Sequence, residues 1–396
     1  MLDRICFDSP VIPWEIIPSF SLFENNHYRR KAAFLSISNI MSNAIGNPTA
    51  SCILAGNIVG AASWERVSLD KQHFAITESA GIFEASAMTY LHFKGPDAAH
   101  VLNKMTPRNI HALKPDHAMF VIFTTPLGTV DDEAIVLRLA EDEFLVSCGG
   151  CKPSSNPLSF LHQAIRQCPN VIVNLPDIIS FNIKGPKRVE AMMNLVCATD
   201  KNKILFLSEF QLCQANLLNG APVWVVKTKI GMEMWGELSA ISLAWISMLN
   251  QPDIYTPCGW DALHTFRMDC NEILFSLYPI DIHDGTSLWE IGCGWMVKEK
   301  DHDYIGKEAL ENGKNKKTFE LKKLYAVSNL SRLAKIGARL YKKNGDIAGY
   351  ITSSAFSIKA GRALAFAHLK LDCNQQEIYC LDETGDLWSL SGKNIT

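Results

Sequence analysis

Two stretches of the chain decide the fold, Leu91-His-Phe-Lys94-Gly95-Pro96 and Phe181-Asn-Ile-Lys184-Gly185-Pro186. Each predicts a short strand and a Lys-Gly-Pro turn, and a helix should follow because apolar side chains then recur at helical spacing. These side chains are Ala98, Val101, Leu102 and Met105 in the first copy, and Val189, Met192, Met193 and Val196 in the second. A matched pair of strand–turn–helix units indicates a duplicated α+β half, with coincidence as the alternative.

The segment after the first predicted helix has the pattern of a β-hairpin. Its strands would be Phe120–Thr125 and Ala134–Leu139, which are apolar and rich in β-branched residues, with turn residues at Pro126-Leu-Gly128 between them. Apolar spacing predicts two further helices, at Leu158–Cys168 and Ala240–Leu249.

A polar segment near the end of the chain divides it further. The residues from Asn312 to Thr318 include no apolar side chain and predict a linker. Beyond them, Asn344-Gly345 and Thr384-Gly385 are hairpin turn signals within a strand-like region. We therefore expect an N-terminal extension at 1–70 that packs on the rest, an α+β region with two subdomains at 71–312, and an antiparallel β domain at 319–396.

Composition limits the kind of protein and its partners. The 396 residues carry 38 Lys and Arg against 41 Asp and Glu, a net charge of −3, which gives no sign of a nucleic-acid partner. A hydrophobic fraction of 47% excludes a disordered chain. The most apolar stretch, Phe34–Ala62, contains too many amides to be a good membrane span. The first residues lack the apolar run of a secretory signal and the 12 cysteines are scattered, so we expect free thiols and a cytoplasmic location.

Common cofactor and metal motifs are absent from the sequence. There is no Gly-x-Gly-x-x-Gly segment and no phosphate-binding Gly-x-x-x-x-Gly-Lys loop. Cys148 and Cys151 form the only tight cysteine pair, and no second Cys or His pair lies at zinc-binding spacing. We therefore expect no metal site.

Two acidic positions are candidates for chemistry. Asp131-Asp132 begins the returning hairpin strand, where burial and a like-charged neighbour would shift a carboxyl pKa, although a turn in water is the alternative. Glu233 lies among large apolar residues and needs a fixed donor, either a ligand or a basic group of the chain itself. Arg267 lies beside an apolar helix face, and Asp269 or Glu272 could simply be its partner.

Short motifs occur together in a fixed order between about residues 78 and 370. They are Ala80-Gly-Ile-Phe-Glu-Ala-Ser-Ala-Met88, Gly128-Thr-Val-Asp131-Asp132, Gly231-Met-Glu233, Arg267, Gly294-Trp295, Tyr304-Ile-Gly-Lys-Glu-Ala-Leu310, and Gly349-Tyr-Ile-Thr352-Ser353 with Ser357. The ordered set resembles the folate-binding aminomethyltransferase family, which includes the glycine-cleavage T protein and tetrahydrofolate-dependent demethylases.

The resemblance implies an α+β fold, a three-domain ring with two ferredoxin-like-related α+β domains and a small C-terminal β-barrel domain. It also implies that tetrahydrofolate threads the centre of the ring. By this resemblance Asp132 is the catalytic carboxylate near N5 and N10, and Glu233 reads the pterin edge. The remaining cofactor-binding positions that it implies are Met88, Phe120, Arg267 and Trp295.

Departures from the family pattern bear on the reaction. The Tyr-Thr-Gly-Glu run of the glycine-cleavage protein is absent before Glu233, and Glu233-Met-Trp235-Gly236 resembles the demethylase branch. We therefore expect a tetrahydrofolate-dependent methyltransferase that demethylates a small methyl ether, thioether or related donor and gives 5-methyltetrahydrofolate, acting as a monomer or homodimer. The alternatives are methylene or aminomethyl transfer, biosynthetic methyl transfer, and non-catalytic folate binding.

Overall fold

The computed structural model describes residues 48–54, 57–86, 88–149, 168–270, 281–282, 285–298, 302–327, 331–373, 378–381 and 387–391. The strands are β1 Pro48–Leu54, β2 Asn57–Trp64, β3 Gly81–Glu84, β4 Thr89–Lys94, β5 His117–Thr124, β6 Val130–Ala140, β7 Glu143–Cys148, β8 Ile172–Asn174, β9 Ile178–Lys184, β10 Leu212–Asn216, β11 Pro222–Lys227, β12 Gly231–Glu237, β13 Thr256–Pro257, β14 Phe319–Ala326, β15 Arg339–Lys342, β16 Ile347–Ser357, β17 Arg362–Lys370, β18 Ile378–Leu381 and β19 Leu387–Ser391. The helices are α1 Leu69–Glu78, α2 Ala98–Met105, α3 Arg188–Met193, α4 Lys201–Leu205, α5 Leu238–Leu249, α6 Trp260–Asp269 and α7 Lys307–Gly313. Short 3₁₀ turns span Ile110–Ala112, Ala198–Asp200 and Gly294–Lys298.

Both predicted strand–turn–helix units are confirmed, although the second helix ends at Met193 and does not include Val196. The first is β4 followed by α2, and the second is β9 followed by α3. Gly95 and Gly185 adopt φ values of 133° and 108°, in a region that L side chains rarely enter. A Cβ atom at Gly185 would lie 2.4 Å from the carbonyl oxygen of Ser79, so the turn needs glycine for space as well.

The first unit belongs to a five-stranded sheet with the order β5-β6-β7-β4-β8. The predicted hairpin is confirmed as β5 and β6, joined by a turn in which Gly128 has a φ of 72°. Helix α2 packs on one face of this sheet, and the side chains buried between them include Phe93, Val101, Leu102, Val121, Val136 and Val146.

The second unit belongs to a six-stranded sheet with the order β10-β11-β12-β9-β3-β13. Helices α3 and α5 pack on it over a core that includes Ile183, Met192, Val225, Met234, Ile241 and Trp245. The helix predicted at Ala240–Leu249 is confirmed, with its start two residues earlier. The helix predicted at Leu158–Cys168 lies outside the described residues except for Cys168.

The C-terminal strands form a closed barrel in the order β14-β17-β16-β15-β18-β19, which confirms the predicted barrel. The turn predicted at Asn344-Gly345 joins β15 to β16, and Gly345 has a φ of 87°. The turn predicted at Thr384-Gly385 lies outside the described residues. The predicted linker at 312–318 is partly helical, because α7 continues to Gly313.

Apolar contacts join the five-stranded sheet to the six-stranded sheet and to the barrel. The rings of Tyr90 from the five-stranded sheet and Trp235 from the six-stranded sheet lie 5.4 Å apart between centroids. Ile122 of β5 and Phe366 of β17 share a second cluster, which connects the five-stranded sheet to the barrel. Among the described helices, none has the length and apolar content needed to cross a membrane.

Candidate active-site cavity

A cavity of about 570 Å³ lies where the two sheets and the segment before the barrel meet. Its wall is mostly apolar, and the aromatic residues that line it are Phe83, Phe120, Phe210, Trp260 and Trp295. Six charged side chains also line it, and their formal charges cancel: Glu84, Glu133 and Glu233 against Arg108, Lys184 and Lys229. The cavity therefore combines flat apolar surfaces with a few placed charges, as small-molecule sites commonly do.

The carboxyl group of Glu233 faces this cavity from β12. Antiparallel pairing places Glu233 opposite Asn182, and Gly231 opposite Lys184. The side chains of Glu233, Asn182 and Lys184 therefore share one face of the sheet, and all three line the cavity. The indole Nε1 of Trp235 donates a hydrogen bond of 3.1 Å to Oε2 of Glu233. Burial raises the pKa of Glu233, and the positive charge of Lys184 and the Trp235 hydrogen bond oppose that rise. The fixed donor that was expected for Glu233 is thus the indole N–H of Trp235.

The structure places Glu133, rather than the predicted Asp132, at the cavity wall. Phe123 pairs with Asp132 and Thr124 with Val130, so Asp131 is an extra residue in a β-bulge. From there the side chains alternate, and Glu133 and Ile135 face the cavity. Asp132 is fully buried, does not line the cavity, and its Oδ1 accepts a 2.8 Å hydrogen bond from the backbone N–H of Glu133.

A buried thiol accompanies Glu133 in the wall. Cys293 lines the cavity with a side chain that is almost fully buried. Burial raises the pKa of Cys293 to about 12, and the negative charge of Glu133 contributes to the rise. Both effects favour the protonated thiol at neutral pH.

Three predicted cofactor positions, Met88, Phe120 and Trp295, do line the cavity. Trp295 lies in the 3₁₀ turn Gly294–Lys298 and exposes 42% of its surface. The guanidinium carbon of Arg108 lies 5.1 Å from the centroid of the Trp295 ring. These residues form the part of the wall that reaches from β5 towards the segment before the barrel.

Arg267, the remaining predicted cofactor position, lies away from the cavity wall. Its Nη1 is 2.7 Å from Oδ2 of Asp281, and its Nη2 donates a 2.9 Å hydrogen bond to Oγ of Ser353. Ser353 in turn donates to Oδ1 of Asp281 at 2.7 Å. Arg267 is 2% exposed and Asp281 is 1% exposed, and through Ser353 this buried ion pair contacts barrel strand β16. The structure thus pairs Arg267 with Asp281, a partner that the sequence did not suggest, and Glu272 lies outside the described residues.

His264 completes the polar contacts of Arg267. Nε of Arg267 donates to Nδ1 of His264 at 3.2 Å, and Nε2 of the same ring lies 3.2 Å from the carbonyl oxygen of Ser354. Burial, followed by the charge of Arg267, lowers the pKa of His264 to about 4. The imidazole is therefore neutral, with its proton on Nε2.

Sequence reasoning missed five of the six charged residues of the cavity: Glu84, Arg108, Glu133, Lys184 and Lys229. Lys184 is the first residue of a Lys-Gly-Pro turn, and it also ends β9 on the face that carries Glu233. The signal that could have found it is the alternation of side chains along β9. Arg108 follows α2 in a loop without periodicity, and no local pattern marks it.

Comparisons with known proteins agree with this architecture. The sequence profile described as the GCVT N-terminal domain matches residues 23–301. An aminomethyltransferase of Thermotoga sp. (strain RQ2) is 26% identical over 327 residues, which are 79% of this chain and 86% of that protein. An aminomethyltransferase of Prochlorococcus marinus (strain NATL2A) is 24% identical over 332 residues, 80% of this chain and 87% of that protein.

A solved structure gives the same fold. The crystal structure of glycine cleavage system aminomethyltransferase T from Bartonella henselae superimposes with a TM-score of 0.75 at 17% identity, covering 90% of this chain and 95% of that one. At this identity the likeness concerns the fold, and it confirms the predicted three-domain architecture. Because the profile covers well over half of the sequence, the chain belongs to the GCVT N-terminal domain family, the folate-binding aminomethyltransferase family.

Proposed function

We propose that the protein transfers a one-carbon group between a small molecule and tetrahydrofolate. The observation that carries this proposal is the position of Glu233, whose carboxyl group is held by Trp235 beside Lys184 in a mostly apolar cavity. A pterin edge presents a ring N–H and an exocyclic amine as parallel donors, and a carboxylate accepts such a pair through both oxygens.

The residues of the cavity fit tetrahydrofolate in size and chemistry. A volume of about 570 Å³ is within the range of small-molecule sites, roughly 300–1,000 Å³. Met88, Phe120 and Trp295 offer the flat or adaptable apolar contacts that a ring system needs. When bound, tetrahydrofolate supplies the nitrogen that accepts or donates the one-carbon group.

We propose Glu133 as the acid–base group, in the role first expected of Asp132. Glu133 lines the cavity, whereas Asp132 lies behind it and bonds the backbone. A positioned carboxyl group that takes or gives a proton during the reaction contributes roughly 10²–10⁴-fold to the rate. The larger share of the rate enhancement would come from holding two ligands in one cavity that excludes bulk water.

Among one-carbon reactions we favour transfer of a methyl group from a small methyl ether, thioether or related donor, with 5-methyltetrahydrofolate as product. Support comes from Glu233-Met-Trp235-Gly236, the segment that resembles the demethylase branch. In the structure Trp235 of that segment bonds the carboxyl group of Glu233, so the segment shapes the cavity directly. Aminomethyl transfer, the activity named for the relatives, is the competing reaction.

The test is a mass-spectrometric screen of the purified protein with tetrahydrofolate and a panel of methyl ethers, thioethers and methylamines. Appearance of 5-methyltetrahydrofolate supports methyl transfer. An aminomethyl thioether is included in the panel, and 5,10-methylenetetrahydrofolate formed from it with release of ammonia and a thiol supports aminomethyl transfer instead. Thermal denaturation with excess tetrahydrofolate tests binding alone, because a ligand at 100 times its Kd adds about 2.7 kcal/mol of stability. Absence of both product and stabilisation would contradict the proposal.

A further inference from the structure

Arg108 is a charged cavity residue to which the proposed reaction assigns no role. It lies in the loop between α2 and the 3₁₀ turn Ile110–Ala112, and the backbone of this loop is held on both sides. The N–H of Arg108 donates to Oγ1 of Thr106 at 3.3 Å, and the N–H of Ile110 donates to Oδ1 of Asn103 at 2.7 Å. The side chain of Arg108 therefore begins from a fixed position.

The guanidinium group is held in turn by two other cavity residues. Its carbon lies 5.1 Å from the centroid of the Trp295 ring, and Nη1 donates to the carbonyl oxygen of Phe120 at 3.3 Å. A guanidinium group is planar and presents five N–H donors in a fixed arrangement. A guanidinium group held over an aromatic ring at a cavity wall is preorganised to bind an anion that lies in the guanidinium plane.

We propose that Arg108 and Trp295 form a carboxylate-binding subsite on a different wall of the cavity from Glu233. Glu233 belongs to the six-stranded sheet, whereas Arg108 bonds β5 of the five-stranded sheet, so the two charges come from different walls. A ligand that spans the cavity would thus meet an anion at one end and a cation at the other. This inference rests on the proposed function, since tetrahydrofolate has a pterin at one end and carboxylates at the other.

The cavity selects a carboxylate rather than a phosphate. Three glutamates, Glu84, Glu133 and Glu233, also line the cavity and weaken the attraction of its cations for a group that carries two negative charges. A single guanidinium group matches one carboxylate, which accepts two parallel N–H bonds from it. The carboxylate can belong to the glutamate end of tetrahydrofolate or to the one-carbon donor, and these two sources can be separated.

The experiment compares the parent with Arg108→Gln by calorimetric titration of tetrahydrofolate and of 6-methyltetrahydropterin, which lacks the benzoylglutamate part. If the folate carboxylate occupies the subsite, the variant should raise the Kd of tetrahydrofolate about tenfold or more and leave the Kd of the pterin unchanged. If the donor carboxylate occupies it, the Kd of tetrahydrofolate stays constant. The KM of carboxylate-bearing donors such as 3-methoxybenzoate or N-methylglycine then rises, relative to methoxybenzene or N-methylethanolamine.

Two further variants separate charge from geometry. Lys114→Gln removes an exposed cation from the same region outside the cavity and should change none of these constants. Arg108→Lys keeps the charge without the planar group, and we expect a smaller loss than in Arg108→Gln. The inference is overturned if Arg108→Gln, folded as judged by its melting temperature, changes neither the Kd of tetrahydrofolate nor the relative KM of the carboxylate donors. Failure of the parent itself to bind tetrahydrofolate would instead count against the proposed function.

Discussion

Replacement of Arg267 by methionine should destabilise the protein and leave tetrahydrofolate binding intact. Arg267 and Asp281 are both almost fully buried, and Nη1 and Oδ2 lie 2.7 Å apart. Arg267→Met leaves the carboxylate of Asp281 buried with the hydroxyl of Ser353 as its remaining donor among the contacts described above. Removal of one partner from a buried ion pair typically costs about 3–5 kcal/mol, and we expect a loss of this size in the free energy of unfolding.

The assay is urea denaturation of the parent, Arg267→Met, and the double variant Arg267→Met/Asp281→Leu. The double variant should recover most of the loss, because it removes the uncompensated charge along with its partner. Calorimetric titration of tetrahydrofolate is run on the same proteins. A stable Arg267→Met variant that binds tetrahydrofolate weakly would refute this reasoning and return Arg267 to the cofactor site.

Three further predictions concern the cavity and its surroundings. Glu133→Gln should lower turnover by roughly 10²–10⁴-fold with little change in the Kd of tetrahydrofolate, whereas Asp132→Asn should lower it much less, as single-turnover kinetics would show. Burial raises the pKa of Glu233, so protonation should begin to weaken tetrahydrofolate binding at a higher pH than it would for an ordinary glutamate. In Glu233→Gln the affinity for tetrahydrofolate should be low and should not depend on pH over the same range. His264 has a pKa of about 4 in the folded state against 6.5 for the ordinary side chain, so the folded state binds fewer protons. Its stabilising contribution is complete above pH 6.5 and is lost as the pH falls through 4, which lowers the free energy of unfolding by up to about 3 kcal/mol. In urea denaturation, the free energy of unfolding of His264→Asn should therefore differ less between pH 7 and pH 4 than that of the parent.

The fold was largely accessible from sequence because its signals are local. The two Lys-Gly-Pro turns, the β5–β6 hairpin and the turn at Asn344-Gly345 each depend on residues that are neighbours in the chain. Glycine at a left-handed turn and alternating apolar residues along a strand are properties that a sequence states directly.

The site was only partly accessible, because two of its features depend on register and on distant partners. The bulge at Asp131 decides which of the following carboxylates faces the cavity, and a shift of one residue exchanges the two faces of a strand. The environment of Arg267 is set by Asp281 and Ser353, which reach it from other parts of the chain. No pattern around Arg267 itself distinguishes a buried ion pair from a ligand contact.

The membership of β3 in the six-stranded sheet has a consequence for folding during synthesis. Gly81–Glu84 is made early, but its antiparallel partner is Ile178–Lys184, and all five strands of the five-stranded sheet are made in between. At 5–20 residues per second the ribosome needs about 5–20 s to deliver that partner after β3 has emerged. Throughout this interval the apolar residues Ile82 and Phe83 lack the strand with which they pair. The cavity, whose wall includes residues of both sheets, can therefore form only after β9 has been synthesised.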